Sequence, residues 1–173
     1  MSGWGKYVVG ALFVAVIVHV AAIFAVPSAL MNVALGKLSN GHYNVWRLGD
    51  RVTPASRTIV RPSPDFAYSA CPYDLSRGPV RIHVAPWDEY WSLSLYASSS
   101  DNYFVVDDRE ARGGAEVLLI RAGSAAPDHV SATVVQSPSE RGIALIRRLA
   151  PTPDAYAAVA QVAPGDVCAN TAN

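Results

Sequence analysis

The stretch Tyr7 to Val26, YVVGALFVAVIVHVAAIFAV, constrains everything after it, because twenty residues pass without Asp, Glu, Lys or Arg. As a helix rising 1.5 Å per residue, such a run reaches about 30 Å, the thickness of a bilayer's hydrocarbon core. Three roles compete for it. A core helix of a soluble domain carries a polar stripe, whereas His19 is the only strongly polar side chain here. A cleavable signal peptide has a positive start, an apolar centre of about 7–15 residues and small residues before the cut. Lys6 and Val20-Ala21-Ala22 fit that pattern, yet apolar residues continue to Val26 and would head the new N-terminus. An uncleaved anchor leaves nothing over and is the reading we adopt. His19 then lies in the membrane, where, with no acidic residue in the helix, a neutral imidazole facing a neighbouring helix is the simpler role.

One lysine lies on each side of the run, Lys6 before it and Lys37 after it, so positive charge alone does not orient it. The two cysteines, Cys71 and Cys168, both lie beyond it, as expected of a pair oxidised outside the cytoplasm. Their bridge would close a loop of 97 residues, worth about 4–5 kcal/mol by loop entropy. The competing reading is two buried, inert thiols. Together these features predict a single-pass protein of a bacterial inner membrane, contacting lipid through its N-terminal helix, with a periplasmic domain. Past residue 39, 12 basic residues face 14 acidic ones with no basic block, which gives no electrostatic reason to expect nucleic acid.

The chain divides into a cytoplasmic start (1–6), the anchor (7–26), a juxtamembrane segment (27–57) and one domain (58–173). Pro27 ends the apolar run. Ser28 to Leu38 keeps helical spacing through Leu30, Val33 and Ala34, as an interfacial helix, the last turns of a longer anchor, or a helix capping the domain. His42 to Trp46 brings aromatic residues suited to the interface or to packing, and Arg47 to Arg57 reads as an irregular lead-in.

In the domain the period becomes two. Val80, Ile82 and Val84 alternate with Arg81 and His83; Trp91, Leu93 and Leu95 with Ser92 and Ser94; Val130, Ala132 and Val134 with Ser131 and Thr133. Val117 to Ile120 reads as a central strand, Tyr103 to Val106 as a short one between loop clusters, and Ile143 to Leu149 as one whose Arg147-Arg148 leaves the core. Short strands at near-regular spacing predict a mainly β fold, an antiparallel β-sandwich. Thr152, Pro153 and Asp154 make a helix start, and Ala155 to Val162 reads as a short C-terminal helix stopped by Pro164-Gly165.

The string from Arg61 to Tyr96 carries Pro62, Asp65, Tyr68-Ser69, Asp74-Leu75, Gly78-Pro79 and Tyr90-Trp91 followed by Leu93. In these positions the chain resembles the domain of unknown function 1254 family. It departs from the first motif at Ser63, Pro64 and Phe66-Ala67. The resemblance implies a β-sandwich of no established activity. It also implies, for longer members, a second domain of the 1214 type, so a separately made 1214-type protein is the expected partner.

Asp65, Tyr68 and Asp74, with Ser69 beside them, are the candidate ligand-binding residues. Two acids and a phenol suit general acid–base chemistry, while aspartates beside prolines and Gly-Pro suit turn-fixing bonds, and Tyr68 a buried ring. His19, His42, His83 and His129 stand singly, which argues against a metal, and no motif points to a cofactor. The expected function is therefore a non-catalytic binding module, the alternatives being an enzyme with a site near Asp65 and Tyr68, and a structural subunit of a membrane assembly.

Overall fold

The computed structural model describes residues 3–57, 61–125 and 131–171. Its first element, α1, is one helix of 35 residues, Gly5–Ser39, that continues through Pro27. A proline inside a helix costs about 3 kcal/mol through its missing N–H and its ring. The turns after it offset that cost: Met31, Ala34 and Leu35 are buried against Ala70 and Ile143 of the sandwich, and burying a Met or Leu side chain contributes about 1.5–3 kcal/mol. Ser28 to Leu38 is thus both the end of the long helix and a packed part of the domain. Asn40 and Gly41, at φ 44° and 80°, stop the helix. Among the described residues, no part of the apolar window of α1 is buried against the rest of the chain.

Among the described residues nine strands follow: β1 (Arg47–Leu48), β2 (Phe66–Asp74), β3 (Val80–Val84), β4 (Trp91–Ala97), β5 (Asn102–Asp107), β6 (Ala115–Arg121), β7 (Thr133–Ser137), β8 (Arg141–Leu149) and β9 (Val167–Asn170). They form a five-stranded sheet in the order β1-β2-β8-β4-β5 and a four-stranded sheet in the order β7-β6-β3-β9. All pairs are antiparallel except β6 with β7. The core lies between the sheets, where Tyr73, Trp91, Leu93, Leu95 and Ile146 of one meet Val80, Ile82, Val84 and Leu119 of the other. Across it Cys71 and Cys168 form the disulfide.

Helix α2 (Pro153–Val162) is capped by Thr152, whose hydroxyl accepts from the Ala155 N–H at 3.1 Å. It packs Val159 onto Ala67 and Ala150, so it closes one end of the sandwich. Pro72 is tolerated inside β2 because its carbonyl, and hence its nitrogen, points away from β8 to the side where Asn44 N–H donates to it at 2.8 Å; no ladder bond is lost.

Three strand readings need correction. The segment around Val134 is β7, but Val135 is the residue turned into the core and Val134 is exposed, the reverse of the predicted face; Val130 and His129 lie outside the described residues. Arg148 does not mark where β8 leaves the core. It faces inward and is fully buried, because Asp166 is buried opposite it. Arg47–Leu48, within the stretch read as irregular, adds β1 to the edge of β2.

Candidate functional site

Asp65 and Asp74 flank and end β2, nine residues apart, so roughly 30 Å of extended chain separates them and they share no site. Asp65 is exposed, and its carbonyl accepts from the Ala150 N–H at 2.8 Å. Near it the Tyr68 hydroxyl accepts from the Ser63 N–H at 3.0 Å, which folds the preceding loop onto the ring. Ser69 is buried on the inner face. Asp74 accepts from the Ser76 N–H at 2.8 Å, fixing the turn before Gly78, and from Arg141 Nε at 2.7 Å.

The structure surrounds that last pair with groups that the sequence alone does not bring together. Asn44, at φ 60°, uses its side-chain amide as one more rung of ladder: Oδ1 accepts from the Asp74 N–H at 2.8 Å and Nδ2 donates to the Asp74 carbonyl at 3.0 Å. Nδ2 also donates to Asn170 Oδ1 at 2.7 Å, while the next aromatic, Trp46, donates to the Val167 carbonyl at 2.8 Å. The segment leaving α1 is therefore clamped to both sheets. Tyr43 lies under the Arg141 guanidinium, 5.3 Å from ring centre to cation. Glu140 pairs with Arg121 at 2.9 Å. Ser139 ties the β7–β8 turn to the β4–β5 hairpin, accepting from the Ser98 N–H at 3.0 Å and donating to the Arg141 carbonyl at 2.7 Å.

Between this turn and α1 lies an open depression of about 460 Å³, lined by Asn32, Leu35, Gly36, Tyr43, Ser98, Glu140 and Arg141. The Asp74–Arg141 pair at its edge is held ionised. Burial of Asp74 works to raise its carboxyl, but the Ser76 hydrogen bonds, then the Arg141 bond and charge, outweigh it and hold the group below the usual carboxylate range. The Asp74 hydrogen bond and charge in turn raise Arg141. A pair pushed apart in this way stays ionised near neutrality, which suits holding a polar ligand better than passing protons.

Two further polar clusters are structural. Arg148 donates to both Asp166 oxygens, at 2.8 and 2.7 Å, and to the Ala85 carbonyl at 3.0 Å, pinning the turn after α2 to the core. Tyr73, Tyr103 and Ser137 share hydrogen bonds of 3.0 Å at the other end of the sandwich. Burial, then the neighbouring Tyr73, pushes the Tyr103 phenol far above its ordinary range, so it remains a donor. Among the described residues, no group of three or more His, Cys, Asp or Glu side chains could hold a metal.

Two stacked sheets, a long apolar N-terminal helix docked on one of them and a short helix closing one end define a helix-bearing β-sandwich. Within that class the chain belongs to the DUF1254 family: the model for this protein of unknown function matches residues 43–168. That span takes in the clamp at Asn44 and ends on the second half of the disulfide. No curated protein matches the chain. Among solved structures, the chain is similar to the VPA0106 protein of Vibrio parahaemolyticus, at 14% identity and a TM-score of 0.66, over 87% of this chain and 36% of that one. A putative uncharacterized protein from Burkholderia cenocepacia aligns at 18% identity and a TM-score of 0.48, over 64% of this chain and 32% of that one. The first likeness is one of fold, and this chain spans little more than a third of that protein's length.

Proposed function

We propose that the protein is a membrane-anchored, non-catalytic binding module of the bacterial envelope, with α1 in the inner membrane and the sandwich in the periplasm. The observation that carries this reading is the junction itself. One helix continues from an exposed apolar stretch of bilayer length into turns buried on the sandwich, and beside it lies a depression lined by Arg141, whose charge Asp74 stabilises. A tether that is also part of the fold keeps that depression at a fixed distance from the membrane. The disulfide supports an oxidising compartment.

The partner we propose is a separate protein of the domain of unknown function 1214 type. The much longer chain of the Vibrio protein, of which this one spans 36%, is compatible with a fold that works beside further domains. Affinity purification of the full chain from solubilised native membranes, with mass spectrometry of what accompanies it, tests the pairing. A 1214-type protein in stoichiometric amount is expected. A monodisperse monomer with no companion contradicts it.

A further inference from the structure

The depression beside α1 sits at a depth that the chain itself sets. Ser100 Oγ donates to the Pro27 carbonyl at 2.8 Å, so the β4–β5 hairpin is held one residue past the last residue of the apolar run. Ser98 and Asn32 line the depression, and Asn32 stands six residues beyond Val26, about 9 Å along the helix. The polar layer outside each hydrocarbon boundary is about 5–8 Å thick. Helix tilt brings the two figures together, and Leu30 and Val33, exposed apolar residues on the same turns, keep this part of α1 close to the acyl boundary.

The lining carries one charge of each sign on consecutive residues. Asp74 engages Nε of Arg141 and Arg121 engages Oε2 of Glu140. Among the described residues these bonds leave the terminal guanidinium nitrogens and the second carboxylate oxygen for a ligand, and both side chains are about half exposed, at 52% and 40%. A purely anionic headgroup would meet Glu140 as a like charge. From these features we infer that the depression binds the phosphate–ammonium headgroup of an ethanolamine phospholipid. Its phosphate accepts from Arg141 and the Asn32 amide, and its ammonium donates to Glu140. This rests on the reading of α1 as a membrane anchor.

Native mass spectrometry of the full chain in detergent, offered equal amounts of phosphatidylethanolamine and phosphatidylglycerol, tests the site. We expect phosphatidylethanolamine to be retained about tenfold in preference, the scale of one charge-assisted hydrogen bond. Gly36→Leu is the informative variant. A β-carbon there meets no atom within 4 Å, so the leucine side chain starts from open space at the edge of the depression, and it should abolish the preference. Glu140→Gln should shift retention towards phosphatidylglycerol. Equal retention of the two lipids, or a preference unchanged in Gly36→Leu, overturns the inference. Millimolar phosphoethanolamine that displaces the lipid upholds the headgroup chemistry and makes a soluble compound its source; failure to displace it upholds the lipid. A chain that fractionates as a soluble protein overturns the anchor reading first, whereas one that stays in membranes without any lipid preference overturns only the headgroup site.

Discussion

Gly142 shows how one residue can fix a strand's neighbourhood. Any β-carbon there would run into the Tyr96 carbonyl and the Tyr73 hydroxyl, both part of the hydrogen-bonded cluster that closes one end of the core. Gly142→Ala should therefore destabilise the protein by about 1–3 kcal/mol or more, seen as a lower denaturant midpoint. Asp166→Ala should cost more, about 3–5 kcal/mol, because it strands a fully buried Arg148 charge. Replacing both partners with apolar residues of similar volume should recover most of that loss. Asp74 has a pH signature. Its carboxyl is held lower in the folded chain than in the unfolded one, so the stability it contributes is complete above about pH 4 and is lost as pH falls through the folded value. Asp74→Asn should flatten the decline of the denaturant midpoint in acid. The sequence marks Asp74 through its Gly-Pro turn, but not Arg141 or Asn44: their partners are 67 and 30 residues away, and only the strand register brings them together.

At the scale of elements, alternation reveals strands wherever one face is buried and the other wet. β3 reads cleanly because Arg81 and His83 interrupt its buried residues. β2 hides, since eight of its nine residues are Phe, Ala, Tyr, Ser, Cys or Pro, its burial is almost continuous, and Pro72 argues against a strand until Asn44 is seen beside it. β7 was legible as a strand near Val134 but neither in its bounds, which run from Thr133 to Ser137, nor in its facing, because Val134 and Val135 are equally apolar and only the pairing with β6 sets the register. Pro27 ends the apolar run but not the helix, which continues to Ser39 as a longer anchor would, held by tertiary packing of the turns that follow. Leu35→Ala should loosen that packing and cost about 2–5 kcal/mol, measured on the full chain in detergent. The disulfide joins β2 to β9 across the sandwich with a separation of 97 residues. Reduction should lower unfolding stability by about 4–5 kcal/mol if loop entropy dominates, as read from denaturant curves with and without reductant.

For the whole molecule, the decisive relation is between a helix made for lipid and a sandwich made for water. Their union was only half visible in the sequence. The length and apolarity of Tyr7 to Val26 announce a membrane span, whereas the docking of Met31, Ala34 and Leu35 depends on which face of the five-stranded sheet is left uncovered, something no local pattern encodes. The account holds that the helix remains attached and keeps the sandwich at the bilayer surface. Alkaline carbonate extraction of membranes from cells making the full chain, with the intact mass of the protein in each fraction, addresses this directly. The chain should stay in the pellet at its full mass. Recovery in the supernatant, or a mass lacking the residues up to Ala22, would contradict it.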